Sequence, residues 1–72
     1  MKRIAVIITD IFQDVEYQQP ADAFRKAGHG IVHVGISAGS VVKGEYGTNV
    51  QIDKAVRDVS ADDFDALFIP GG

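Results

Sequence analysis

Glu16 and the pair Gly71-Gly72 are the residues whose types and places could do chemistry together. Glu16 follows the apolar run Ile4 to Thr9 and stands near the start of a helical pattern. Open α/β sheets place their ligands at such junctions. A carboxylic acid kept protonated there would donate a hydrogen bond to a thiolate, the reactive form of a cysteine. The same acid would equally complement the positive end of a helix, and from the residues alone that structural role leads. Gly71 and Gly72 close the run Asp65-Ala66-Leu67-Phe68-Ile69-Pro70. Two glycines permit close backbone approach and positive φ, so their N–H groups could face an oxyanion. A plain tight turn is the competing reading.

Three other constellations are weaker. Gly35-Ile36-Ser37-Ala38-Gly39 matches the G-x-S-x-G nucleophile elbow. An elbow needs a helix directly after its serine, and Ser40-Val41-Val42-Lys43-Gly44 offers none. Both histidines also precede Ser37, so the acid–histidine order is wrong. His29 and His33 have metal-ligand spacing on a helix, but Gly28 and Gly30 argue against a helix there. Along a strand the rings would stand about 13 Å apart at ~3.3 Å per residue. Asp10 and Asp14 could suggest a phospho-acceptor pocket, which needs a further aspartate where the chain has Pro70-Gly71; turn and cap roles are expected instead.

These side chains must be carried by α/β elements. Ile4 to Thr9, β-branched and apolar throughout, predicts a strand buried on both faces of a parallel sheet. Asp10 to Asp14 reads as a turn with Asp14 as N-cap, and Val15 to Lys26 as a helix with Ala21, Phe24 and Ala27 at helical spacing. Pro20 marks either the true helix start or a kink. Gly28 is the stop, with Arg25 and Lys26 in the last turn. Ile31 to Gly35 predicts a second strand, completing a βαβ unit. Val41-Val42 and Asn49 to Asp53 suggest a small hairpin. Ser60 caps a helical turn over Ala61-Asp62-Asp63, and Ala66 to Ile69 reads as a third buried strand.

Seventy-two residues allow one small domain, with no disulfide or cysteine-based metal staple because there is no cysteine. A net charge of -3 argues against a nucleic-acid surface. Met1-Lys2-Arg3 with Ile4 to Ile8 is too short for a signal peptide or a membrane span, and Asp10 interrupts it. A cytoplasmic chain without a membrane partner is the expectation. No Gly-rich phosphate loop follows the first strand, which counts against a flavodoxin-like nucleotide-binding domain. No cofactor or metal is expected.

Three segments in register carry a resemblance. They are Ile4 to Asp10 with Phe12-Gln13-Asp14-Val15-Glu16, then Phe24-Arg25-Lys26-Ala27-Gly28-His29, then Asp63 to Gly72. Together they resemble the ThiJ/PfpI superfamily and, within it, the PfpI-like intracellular proteases. The resemblance implies a flavodoxin-like three-layer sandwich with a mainly parallel sheet, present here as an incomplete N-terminal portion. It implies a nucleophilic cysteine on a sharp elbow beyond the Pro-Gly-Gly turn, with Glu16 approaching it. It also implies an oxyanion donor at the Gly72 N–H, supported by Gly71. Members are described as peptidases, glyoxalases acting on 2-oxoaldehydes, and deglycases, and many assemble as oligomers. Gln13 stands where the family often has an acid. The expected partners are therefore the remaining half of the domain or a second subunit, and a small carbonyl or peptide substrate.

Overall fold

The computed structural model describes residues 1–71. Strand β1 (Arg3–Ile7) lies between β2 (Gly30–Gly35) and β6 (Ala66–Phe68), parallel to both. The short β5 (Lys54–Ala55) adds to the free edge of β2, again in parallel, giving the order β5-β2-β1-β6. Helix α1 (Asp14–Lys26) is the crossover from β1 to β2, since parallel neighbours cannot be joined by a tight turn. β3 (Val41–Lys43) and β4 (Asn49–Gln51) form a separate antiparallel hairpin. This is the expected α/β class, a flavodoxin-like arrangement around a parallel sheet.

Alternation along β1 sends Val6 to the face that α1 covers and Ala5 to the other. Val6, with Ile8 just past the strand, packs with Phe12, Tyr17 and Ala21, and the hairpin adds Val42 and Val50 to the same core. Phe24 meets Phe68 edge-on, with ring centroids 5.9 Å apart, so α1 also reaches β6. On the opposite face Ala5, Ile7, Val34 and Leu67 border a cavity of about 180 Å³ with Val56, Val59 and Phe64. Ile4, Ala5 and Val6 are all buried, as a strand covered on both sides requires. β6 is not the buried strand its sequence predicts: Leu67 is 53% exposed. Among the described residues β6 has a ladder neighbour only on its β1 side, and its Leu67 face borders that cavity.

The helix start departs from expectation. Gln13, not Asp14, is the N-cap residue, and it makes no side-chain cap bond. In its place Phe12, just before the cap, packs edge-on against Tyr17 at 5.5 Å, a hydrophobic staple that sets the chain's entry into the helix. Asp14 lies within the helix and turns away from it. Its carboxylate oxygens accept the N–H groups of Tyr46 and Thr48, both at 2.9 Å. Pro20 is neither the start nor a break, and the helix runs through it. At the other end Gly28 takes φ +82°, its N–H donates to the Arg25 carbonyl, and His29 N–H donates to the Phe24 carbonyl. That is a Schellman stop, as the glycine predicted. Ser60 caps as expected: its N–H donates to the Asp63 carboxylate at 2.9 Å, and its hydroxyl oxygen accepts from Asp62 N–H.

A polar chain runs beneath α1. Tyr17 Oη and His33 Nε2 are 2.7 Å apart, and the other ring nitrogen lies 3.4 Å from Asp53. Arg25 donates to the same Tyr17 hydroxyl at 3.4 Å. A neutral ring protonated at Nδ1 lets Nε2 accept the tyrosine proton. Burial holds the His33 pKa below 6.5, and the Arg25 charge adds to this while Asp53 partly opposes it.

Two pH dependences follow from linkage. The unfolded chain binds more protons at His33 than the folded one does, so stability falls as pH drops below 6.5. Urea midpoints measured from about pH 8 to about pH 5 should fall for the wild type and flatten for His33→Gln; equal slopes would contradict the assignment. The hydrogen bonds from Thr48 and Tyr46 lower the Asp14 pKa from 3.8 to about 2. Its contribution is complete above 3.8 and disappears as pH falls to about 2. The stability gap between wild type and Asp14→Asn should therefore close across that acid range, and a gap that persists at the acid end would refute this.

Candidate active site

The chain leaves β1 toward β2 and later returns to pair β6 on the other side of β1. The crossovers diverge there, which opens a crevice at the carboxyl ends of β1 and β6. A cleft of about 340 Å³ occupies this place. Val15, Glu16, Gln19 and Pro20 of α1 form one wall, and Phe68, Ile69 and Gly71 form the other.

Glu16 and Gly71 are thus brought together across the cleft. A Cβ built on Gly71 would lie 2.7 Å from one Glu16 carboxylate oxygen and 3.0 Å from the other. Only a residue without a side chain lets the carboxylate sit there. The Gly71 carbonyl accepts the Gln13 N–H at 2.8 Å, which ties the end of the β6 segment to the start of α1. Two details differ from the sequence reading. Gly71 does not use positive φ, which occurs among the described residues at Ile11, Gly28, Gly39 and Gly47; its smallness is what counts. Glu16 is exposed, not partly buried, because the cleft walls described here cover only one side of it. Gly72 lies outside the described residues.

The remaining candidates are dispersed. Ser37 sits in a bend, where its carbonyl accepts the Ser40 hydroxyl at 2.6 Å and no helix follows. His29 Nδ1 accepts the Lys2 N–H, while His33 serves the chain to Tyr17 and Asp53. Asp10 accepts the Lys43 N–H at 3.0 Å, a tertiary tie between the β1–α1 turn and the hairpin. No three potential metal ligands cluster among the described residues. No helix among them is long and apolar enough to cross a membrane. Sequence reasoning missed Gln19 and the lining role of Pro20. Their signal was available: they stand three and four residues after Glu16, the spacing that shares a helix face.

Comparison with known proteins bears on this site. The family model described as DJ-1/PfpI family matches residues 2–72. YraA of Bacillus subtilis (strain 168), named as a provisionally assigned cysteine protease, is 52% identical over 71 residues, covering 99% of this chain and 42% of the relative. Protein/nucleic acid deglycase 2 of Escherichia coli (strain K12) is 51% identical over 72 residues, again 99% of this chain and 42% of the relative. The crystal structure of a two-domain protein from Anabaena variabilis, containing DJ-1/ThiJ/PfpI-like and ferritin-like domains, superposes with a TM-score of 0.94 at 32% identity. That match covers 100% of this chain and 21% of the other. The chain therefore spans less than half the length of the curated relatives it matches. With the family model matched from residue 2 to residue 72 and relatives about half identical over the same stretch, the chain belongs to the DJ-1/PfpI family.

Proposed function

We propose that this chain is the N-terminal portion of a PfpI-like cysteine hydrolase, and that it supplies Glu16 and the Gly71-Gly72 turn to a thiol carried by residues outside it. The observation that carries this reading is the contact of the Glu16 carboxylate with Gly71 inside the cleft. The chain has no nucleophilic cysteine of its own. In the reaction a thiolate adds to a carbonyl carbon, forming a C–S bond and moving negative charge onto the carbonyl oxygen. The Glu16 carboxyl group hydrogen-bonds the sulfur and steadies its reactive form, and a Gly72 N–H receives the oxyanion. The substrate is a peptide, a 2-oxoaldehyde or its amine adduct. The names of the relatives support the outer members of that set, a cysteine protease and a deglycase.

A second reading is favoured by exposed Leu67, Ile69 and Val56: an inactive piece that docks onto its missing half or another subunit. Both readings expect the isolated chain to turn over none of methylglyoxal, peptides or glycated amines, and thiol-independent turnover would refute both.

A chimera separates them. Residues 1–72 of this chain replace the matching segment of the Escherichia coli deglycase, whose remaining length is expected to bring the cysteine. An active chimera whose thiol alkylation and turnover fall about 10²-fold on Glu16→Gln supports the enzyme reading. Full activity in that variant would eliminate it. Gly71→Ala should act in the same direction with little loss of stability, because its new methyl displaces only the flexible end of Glu16. A Gly71→Ala chimera with unchanged turnover would count against the contact's role.

A further inference from the structure

Helix α1 carries Glu16 in its first turn, yet its N-cap residue makes no side-chain cap bond. Tertiary contacts must hold that turn. On the cleft side the Gln13 N–H is fixed to the Gly71 carbonyl. On the other side the β3–β4 turn is laced onto the β1–α1 segment along its length. Ile11 N–H donates to the Lys43 carbonyl at 2.8 Å, and Glu45 N–H donates to the Phe12 carbonyl at 3.0 Å. The Gln13 side-chain amide donates to Glu45 at 2.9 Å, and the Gln18 amide to the Thr48 hydroxyl at 3.2 Å.

Asp14 is the buried centre of this lacing, 8% exposed, with both carboxylate oxygens committed to Tyr46 and Thr48 N–H groups. The turn is shaped around it. A Cβ on Gly44 would fall 2.5 Å from one Asp14 oxygen and 2.7 Å from its carboxyl carbon, so the glycine keeps the space the carboxylate fills. Asp14 stands two residues before Glu16 on the same rigid turn.

We propose that Asp14 is a positioning residue: by clamping the Gly44–Thr48 turn onto the start of α1, it sets where the Glu16 carboxylate meets Gly71. The inference rests on the reading of Glu16 as the group that serves the thiol. It makes the hairpin, which contributes no residue to the cleft lining, part of the device that aims the site. A misplacement of about 1 Å in a reacting group can cost on the order of 10²-fold in rate.

The test uses the chimera described above, with Asp14→Ala, Gly44→Ala, Glu16→Gln and the Asp14→Ala/Glu16→Gln pair. Gly44→Ala evicts the Asp14 carboxylate without altering Asp14, and covers the case in which Asp14→Ala fails to fold. Each of these two variants is expected to lower kcat about tenfold with KM held within about twofold. The double variant should be no slower than Glu16→Gln alone, because a positioner acts only through the group it positions. Asp53→Asn, which loosens the distant His33 contacts, should leave kcat in place. Losses that multiply in the double variant, or an unchanged kcat in Gly44→Ala with Tyr46 and Thr48 amides released, would overturn the proposal. Carboxyl and amide resonances of Glu16 and Gly71 give a readout independent of turnover. Resonances that stay in place in Asp14→Ala overturn positioning whatever the rate does. If they move while Glu16→Gln is silent, positioning stands and the catalytic reading of Glu16 falls.

Discussion

Parallel pairing on both edges of β1 is the constraint from which the other features derive. Parallel neighbours must be reached by crossovers, and the chain uses α1 to reach β2 on one side before the later return to β6 on the other. The register, Ile4 opposite both Ile31 and Ala66, holds the carboxyl ends of three strands level. Because the two crossovers diverge, the start of α1 and the end of β6 face each other with nothing between them but a cleft. Glu16 and Gly71 meet for this reason, although they stand at opposite ends of the sequence.

The helix that spans this arrangement is secured by two different kinds of contact. Its middle is held by packing, with Tyr17 and Ala21 buried against Val6 and Ile8, and by the Tyr17–His33–Asp53 chain that satisfies the polar atoms such packing would strand. Its start is held by charge and hydrogen bonds, chiefly those of Asp14. An ionised aspartate held by the N–H groups of Tyr46 and Thr48 keeps a fixed direction that apolar packing does not supply. The packing resists sliding of the helix, while the polar lacing fixes the aim of its first turn.

Much of the frame was legible in the sequence because it rests on short-range patterns. The apolar run of β1, the Gly28 stop and the Ser60 cap each depend on residues a few positions apart; the stop and the cap are found where the pattern put them, and the strand ends at Ile7, two residues before Thr9. β5 escaped notice because two residues carry no periodicity. Ala66 to Ile69 is less buried than its sequence predicts because an apolar segment does not state whether both of its faces are covered. Asp14 reads locally as a cap, and only its partners more than thirty positions away reveal a clamp. Of the site, Glu16 was found through its place after a strand and through family resemblance. Gly71 was found for closeness of approach but credited with a backbone conformation it does not adopt.

Pro20 has a consequence for the cleft it lines. A proline inside a helix has no N–H to close on the carbonyl four residues earlier, and that carbonyl belongs to Glu16. The turn of helix that carries Glu16 is thus one intrahelical tie short, and its hold on the rest of α1 depends that much more on the contacts made at its start.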